Sequence, residues 1–470
     1  MPTAFTILFG IIAFLVLLSW IPGVASKQAG IIDIFWAPIK SFVDPSRAEI
    51  IVFILILGGF INVVMHSKAL EALIGKLLIK LKNKELFLIP PLMLFFAICG
   101  STYGMAEESL GFYALIVPAM VAVGFDAFTG LMIVLVGCGS GVLASTINPF
   151  SIGAAINAAK LGDDFGVTNG LAWRAVSFVI IVSLSIAFVL WYALRVKKDF
   201  KKSVVFDQKE EHLNHFSSKS EEIPKLTKKR IITLVVFALT FLLMIFYLIS
   251  WNNGFNIIAF KDFGELVNEK AWFITKFIPG FGEGYLVEVA TIFLISTLII
   301  GIINWNGEKD FVNKVMVGTA DMLSVCLVIA VAGGVSVILT ETEMQQTIVN
   351  GLKIVVDELP KWLIPIILYI LFIPLAFLIP STSGFAAAVF GVLGETLGSD
   401  GASGAITAFS FASGIVNLIT PTSGVVMGAI ALSKIEFKSL IKGLAPLLGV
   451  IFLASILLLG IGSVMPGKIF

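Results

Sequence analysis

The sequence predicts an all-α integral membrane protein made of two inverted-topology repeats, with broken helices and re-entrant hairpins. Three observations predict it. Hydrophobic residues make up 58% of the 470 residues and charged ones 13%, where an average globular chain carries roughly a quarter charged residues. Apolar runs of span length recur along the chain, whose mean hydropathy is +1.02. Clusters of Gly, Ser, Thr and Pro recur in the same order in both halves. A soluble protein is excluded on composition. Cys99, Cys138 and Cys326 all lie in apolar stretches, which points to buried free thiols rather than a disulfide framework.

The first run, residues 5–25, has no basic residue ahead of it and is about a full span long, so it reads as a retained helix rather than a signal peptide. Further spans are expected near 48–65, 86–100, 109–125, 175–195, 231–251, 285–304, 322–340, 362–379 and 444–463. Stretches 127–159, 362–394 and 401–433 are uncharged and too long for one pass. Each has a polar, turn-forming cluster near its middle, so each reads as a helix, an unwound or re-entrant piece and a second helix. Residues 197–229 are strongly charged and lack apolar periodicity, as a solvated linker would. The domains are therefore a first repeat over 1–196, this linker, and a second repeat over 230–470.

The repeats are legible in three matches. Ser101-Thr102-Tyr103-Gly104 answers Ser381-Thr382-Ser383-Gly384, and Gly58-Gly59 answers Gly333-Gly334. The stretch 143–160 answers 417–434, with Pro149 opposite Pro421 and Ser151 opposite Ser423. Charge then sets orientation, because cytoplasmic loops carry the Lys/Arg excess. Lys68, Lys76, Lys80, Lys82 and Lys84 against Glu71 and Glu85 put the loop after the first Gly-Gly span inside. The matching loop, with Glu341, Glu343, Asp357 and Glu358 against Lys353 and Lys361, falls outside. Both loops carry an amphipathic pattern, such as Leu70, Leu73, Ile74, Leu77, Leu78 and Leu81, as helices lying in the membrane surface do. The helix near Arg174 follows Asp163-Asp164 and ends inside at Arg195, Lys197 and Lys198. The helix near Leu444 follows Lys434, Lys438 and Lys442 and so starts inside. Equivalent elements thus point in opposite directions, the arrangement of many secondary transporters, whose sites lie at broken helices near the midplane. The linker and N-terminus fall in the cytoplasm and the C-terminus outside, in an inner (plasma) membrane.

Two constellations carry the candidate chemistry. In the first, Gly100 and Gly104 let the backbone leave helical geometry, Ser101 and Thr102 supply hydroxyls, and a freed helix N-terminus presents N–H groups. Glu107 and Glu108 follow between apolar flanks, and a charge at the bilayer centre costs at least about 2.5–3.5 kcal/mol. They point to binding of a cationic group, a proton or Na⁺; the plainer reading is a pair at the interface reaching water. Neighbours on a helix diverge by about 100°, so the two do not share one role. In the second constellation, Ser145-Thr146-Ile147-Asn148-Pro149, the proline frees carbonyls near 144–147 that can coordinate a cation. Asn417, Thr420, Thr422 and Ser423 repeat the arrangement around Pro421. A simple proline kink is the alternative for each.

Other residues carry less. His66, His212 and His215 sit at a membrane edge or in the linker without metal-ligand spacing, where solvation is the ordinary state. Asp321 and Glu395 border apolar runs and read as interfacial residues, with a link to the coupling ion as the alternative, and Arg174 reads equally as a carboxylate partner or a headgroup contact. Gly-Cys-Gly-Ser-Gly at 137–141 lacks the lysine of a phosphate loop and fits close helix packing. Residues 251–283, with Trp251 and Trp272, are expected along the external surface.

At Gly-Ser-Thr-Tyr-Gly-Met-Ala-Glu-Glu-Ser (100–109), the two Ser-Thr-x-Gly turns and the paired proline kinks, the sequence resembles the C4-dicarboxylate carrier (DcuC) family. The resemblance covers nearly the whole chain and is nearest the YfcC and arginine–ornithine antiporter-like branch. It implies a scaffold domain, a transport domain with two re-entrant hairpins, elevator-type alternating access and a homodimer. It also implies that Ser101, Thr102, Ser145, Thr146, Asn148, Ser381, Thr382, Asn417 and Thr420 lie at hairpin tips and unwound segments. The family name leaves the substrate open between dicarboxylates and amino acids. The polar clusters contain no Lys or Arg but do contain Glu107 and Glu108, which favours a basic amino acid such as arginine or ornithine. Candidate substrate contacts are Ser101, Thr102, Gly104, Glu107, Glu108, Asn148, Ser381, Thr382, Ser383, Gly384, Asn417, Thr420 and Thr422. Candidate coupling-ion contacts, for Na⁺ or H⁺, are Ser145, Thr146, Asn148, Asn417, Thr420 and Ser423. Na⁺- or H⁺-coupled C4-dicarboxylate transport is the alternative. An enzyme would need a nucleophile–base pair or a metal cluster, and a channel an open polar path. No cofactor beyond a coupling ion and no nucleic-acid partner is expected.

Overall fold

The computed structural model describes residues 4–80, 85–161, 165–216, 224–248, 251, 257–284, 286–379, 381–465 and 470. Lys82, Lys84, Leu81, Asp163, Asp164 and linker residues 217–223 lie outside them, as do the side chains of Tyr103, Ile74, Leu77, Leu78, Lys80 and Glu395. Among the described residues regular structure is entirely helical, and seven helices are long and apolar enough to cross a membrane. Shorter apolar helices at 127–143, 364–378, 382–394 and 424–433 fall inside the three over-long stretches, each of which breaks near its middle.

The helices are α1 (Ala4–Leu18), α2 (Asp33–Phe42), α3 (Pro45–His66), α4 (Ala69–Lys80), α5 (Ile89–Tyr103), α6 (Leu110–Ala122), α7 (Ala127–Leu143), α8 (Ala154–Ala159), α9 (Leu171–Lys198), α10 (Lys209–Phe216) and α11 (Lys228–Leu248). They continue as α12 (Ala259–Lys270), α13 (Leu286–Ile303), α14 (Glu308–Asp321), α15 (Leu323–Glu341), α16 (Met344–Glu358), α17 (Ile364–Leu378), α18 (Thr382–Asn417), α19 (Gly424–Ser433) and α20 (Phe437–Gly462). The first is shorter than the run 5–25, because Pro22 and a left-handed Gly23 (φ 85°) follow its end. Helix α16 is amphipathic as expected, burying Met344, Val349, Leu352 and Val356.

Packing divides the chain into two compact units. One comprises 1–44, 84–212 and 327–470, the other 45–83 and 213–326. Each draws on both halves of the sequence. In the second unit α3 packs on α13 and α14. A Cβ on Gly58 would collide with the Gly318 carbonyl, so the α3–α14 crossing is backbone on backbone. Phe53, Phe60, Phe237, Phe241 and Phe293 form its aromatic core, with Phe60 and Phe293 centroids 4.9 Å apart.

The first unit centres on α7, which packs against α5, α6, α9 and α18. Its glycines fit the helix-packing reading: a Cβ on Gly141 would strike the Ala97 carbonyl of α5, and one on Gly100 the Cys138 carbonyl. On the other side α17 lies along α18, where Phe372, Phe385, Phe390 and Phe409 interlock edge to face. Outside the apolar spans, Lys27 and Glu343 pair at 2.6 Å, which holds the lysine above and the glutamate below its ordinary pKa.

The linker departs from expectation. Residues 200–216 are folded, with Ser203, Val205 and His212 buried. The cause is Asp126, the N-cap of α7, only 1% exposed. Its carboxylate accepts from the Thr129 N–H (2.9 Å) and Oγ1 (2.6 Å), from Tyr192 Oη (2.7 Å) and from Ser203 Oγ (2.5 Å). Val204 N–H donates back to Tyr192 Oη at 3.0 Å. His212 Nε2 lies 2.7 Å from the Lys434 carbonyl, so this histidine is held in the fold rather than solvated.

Three substitutions test this packing. Asp126→Ala strips a buried acceptor from four donors and should lower stability by about 2–4 kcal/mol; thermal unfolding in detergent checks this, and trypsin should then cut at Lys201 and Lys209. Gly141→Ala should destabilise by about 1–3 kcal/mol through overpacking. Gly351→Ala, where a Cβ meets open space on α16, should be neutral or stabilising in the same assay.

Candidate functional site

The site is built from four chain breaks inside the first unit. Helix α5 ends because Gly104 takes the left-handed conformation (φ 79°, ψ 33°), its N–H bonding back to the Cys99 carbonyl. A Cβ there would also lie 2.6 Å from Asn148 Oδ1, so position 104 requires glycine on two counts. A short 3₁₀ turn, Glu107–Ser109, then leads into α6. Glu108 is buried and accepts the Ala106 N–H at 2.9 Å through Oε2; Glu107 is half-buried. This turn packs against α7 and α19.

The second break follows α7. Residues 144–148 are unwound, and Pro149 opens a π-turn that runs into α8. Asn148 caps this turn, its Oδ1 accepting the Phe150 N–H at 2.9 Å, while its Nδ2 donates to Ser145 Oγ at 3.1 Å. Pro149 has no N–H to return to the Ser145 carbonyl. The first two breaks are tied together. Ser101 Oγ lies 3.0 Å from Thr146 Oγ1 and 3.1 Å from the Ala144 carbonyl. The Ser101 carbonyl accepts the N–H groups of Thr146 (3.1 Å) and Ile147 (3.3 Å). Thr102 is not part of this knot; its Oγ1 donates to Ile98 O within its own helix.

The third break separates α17 from α18, where Ser381 Oγ caps Gly384 N–H at 3.2 Å. Ser381, Ser383 and Gly384 are exposed. Helix α18 is interrupted at Gly398 (φ 60°, ψ −178°), and its two limbs lie side by side. Thr382 Oγ1 thereby sits 3.3 Å from Ser413 Oγ and accepts Asn417 Nδ2 at 3.3 Å. The fourth break contains Thr420 and Thr422, both buried with hydroxyls 2.7 Å apart, and Ser423, which caps Val426 N–H at 3.4 Å. Lys160 and Lys434, which end α8 and α19, share a left-handed conformation (φ 51° and 53°).

Contacts also join the paired breaks. Ser410 Oγ donates to the Leu143 carbonyl at 2.9 Å, at the end of α7, and Gly414 permits close approach to Leu143. Ser410 and Ser413 were not singled out from sequence. Their signal is a polar i, i+3, i+7 series with Asn417, following Ser403 and Thr407 in the uncharged stretch 401–433.

Arg174 is the main addition. It is 1% exposed and reaches three backbone carbonyls: Thr146 at 3.2 Å through Nε, Asn169 at 3.0 Å through Nη1 and Val167 at 2.6 Å through Nη2. Neither a headgroup contact nor a described carboxylate explains it. A cation thus does border the second break, contrary to the expectation that the clusters lack one. Asp321 is exposed at the junction of α14 and α15. Among the described residues no group of three or more His, Cys, Asp and Glu could hold a metal.

Arg174→Lys keeps the charge but cannot span three carbonyls. It should cost about 2–4 kcal/mol in thermal unfolding.

A family model described as DcuC, C4-dicarboxylate anaerobic carrier, matches residues 39–463. An uncharacterized protein of Haemophilus influenzae is 27% identical over 448 residues, covering 93% of this chain and 80% of that one. YfcC of Escherichia coli K12, named as a candidate basic amino acid antiporter, is 26% identical over 419 residues, covering 86% and 76% respectively. Among solved structures, the YdaH transporter of Alcanivorax borkumensis aligns with a TM-score of 0.46 at 13% identity, over 98% of both chains. MtrF of Neisseria gonorrhoeae, described with a class of antimetabolite efflux pumps, aligns at 0.43 with 15% identity, over 98% of this chain and 95% of its own. Both likenesses are too remote to transfer a topology.

Proposed function

Since this chain belongs to the DcuC family of membrane transporters, with relatives on the YfcC-like branch, we propose that it exchanges basic amino acids, arginine against ornithine, across the inner membrane. The observation that carries this reading is the Glu107–Glu108 turn, set beside the Ser101–Thr146 knot between otherwise apolar helices. A carboxylate there attracts an ammonium or guanidinium end, while exposed N–H groups at a helix start hold an α-carboxylate. The name of YfcC supports the same substrate class. Glu108 is buried and accepts the Ala106 N–H, whereas Glu107 is half-buried, which supports taking Glu107 as the group that meets the ligand. Ser145, Thr146, Asn148, Asn417, Thr420 and Ser423 are the proposed contacts of a coupling Na⁺ or proton. Ser101, Thr102, Gly104, Asn148, Ser381, Thr382, Ser383, Gly384, Asn417, Thr420 and Thr422 complete the proposed substrate surface.

We read the two halves as inverted repeats working by an elevator-type mechanism in a homodimer, with N-terminus inside and C-terminus outside. The like-placed proline breaks and the left-handed lysines at 160 and 434 support the repeat.

A second reading, Na⁺- or H⁺-coupled C4-dicarboxylate transport, is favoured by Arg174, a buried cation on the Thr146 carbonyl, and by the description of the family. Uptake of radiolabelled arginine and succinate into proteoliposomes, with and without internal ornithine, separates the two. Arginine entry that depends on ornithine is the expected result, and ion-driven succinate entry untouched by arginine overturns it. Glu107→Gln should cut exchange by about tenfold or more, the worth of one charged hydrogen bond. Glu108→Gln keeps an acceptor for Ala106 and should retain most activity.

A further inference from the structure

The second unit holds a cavity of about 160 Å³ that plays no part in the proposed transport site. It opens where the span-length helices α3 and α13 end, at His66 and Ile303, and where α11 and α14 begin, at Lys228 and Glu308. Its polar lining includes His66, Lys229, Asn304, Asn306, Asp310 and Lys314. Four membrane-length helical segments changing from apolar to charged at one level mark the headgroup zone. Trp305, 52% exposed, and Ile302, 69% exposed, stand beside the cavity, the aromatic at the depth such residues favour and the aliphatic on the hydrocarbon side.

The lining suits an anion. Lys229 is exposed and has no ion-pair partner among the described residues, whereas Lys314 pairs with Asp310 at 2.5 Å and is only partly available. The walls are fixed by their own bonds. Asn62 Nδ2 donates to the Lys314 carbonyl at 2.6 Å, Asn304 Nδ2 to Thr233 Oγ1 at 2.9 Å, and His66 Nδ1 lies 2.9 Å from the Asn62 carbonyl. Arg230 adds charge next to Lys229 while its Nε holds the Ser67 carbonyl at 3.3 Å. A preformed basic recess between helices at headgroup depth is the chemistry that recognises a phosphate-bearing anion. The exposed Ile302 of α13 and Ile231 and Ile232 of α11 offer a path for acyl chains.

We infer that this recess binds the headgroup of an anionic phospholipid, with Lys229 as its principal cation and Lys314, His66 and Asn306 as further donors. A lipid is favoured over free phosphate because the recess adjoins apolar surface and lies at the depth where headgroups are held.

The test uses the full chain purified in a non-ionic detergent. Native mass spectrometry counts retained lipid, and thermal unfolding is followed with phosphatidylglycerol, phosphatidylcholine or inorganic phosphate added. Phosphatidylglycerol alone is expected to leave a retained adduct and raise the unfolding temperature. Lys229→Ala should reduce adduct retention by about fivefold, and Lys229→Glu by more. Lys353→Ala, an exposed lysine of the other unit, should change nothing. Equal effects of phosphatidylcholine, or an unchanged adduct in both Lys229 variants of normal unfolding temperature, would overturn the inference. A full response to inorganic phosphate with none to lipid would also overturn it, leaving a soluble-anion site. Should either Lys229 variant unfold early, Asn306→Ala gives the same readout without touching a charge.

Discussion

Backbone polar groups have no water to turn to inside a bilayer, so every place where a helix unwinds must supply its own partners. That constraint organises the first unit. Helix α5 leaves helical geometry at Gly104 and α7 at Ala144, and the freed groups of one break are answered by the other. Ser101 gives its carbonyl to Thr146 and Ile147 and its hydroxyl to Thr146 and Ala144, while Arg174 reaches in from α9 to the Thr146 carbonyl. The second pair of breaks is met more lightly, by the Thr382–Ser413–Asn417 cluster and the Thr420–Thr422 hydroxyl pair.

The two pairs therefore differ electrostatically although their sequences rhyme. Two carboxylates and a guanidinium border the first, whereas the second is lined by hydroxyls and an amide. The motifs alone therefore leave the substrate class open: the carboxylates of Glu107 and Glu108 suit a cation, while the Arg174 guanidinium is taken up by three backbone carbonyls.

Much of the fold was legible because the forces that set it are local in sequence. Span-length apolar runs, Gly-Pro punctuation and an uncharged stretch too long for one pass mark helices and breaks wherever they fall in the chain. Asn148 beside Pro149, and Ser423 just after Pro421, were readable as turn-formers for the same reason, and both cap helical turns. Arg174 was not readable. It looks like any cation at the start of a span until folding brings residues 146, 167 and 169 around it. Ser410 was equally silent, because its partner is a carbonyl more than two hundred residues away. The linker misled for the opposite reason: its charged composition hides Ser203, Val205 and His212, which bury only because Asp126 and Lys434 wait for them.

Sequence by itself determined that this chain is a helical membrane protein, where its helices break, and which family it joins, since each follows from hydropathy, backbone chemistry and short motifs. Tertiary structure alone decided which breaks meet, that a buried arginine braces one of them, and that the linker's first half is part of the fold. Those outcomes depend on hydrogen bonds between groups distant in the chain, whose strength comes from shared burial and leaves no periodic trace in the order of residues.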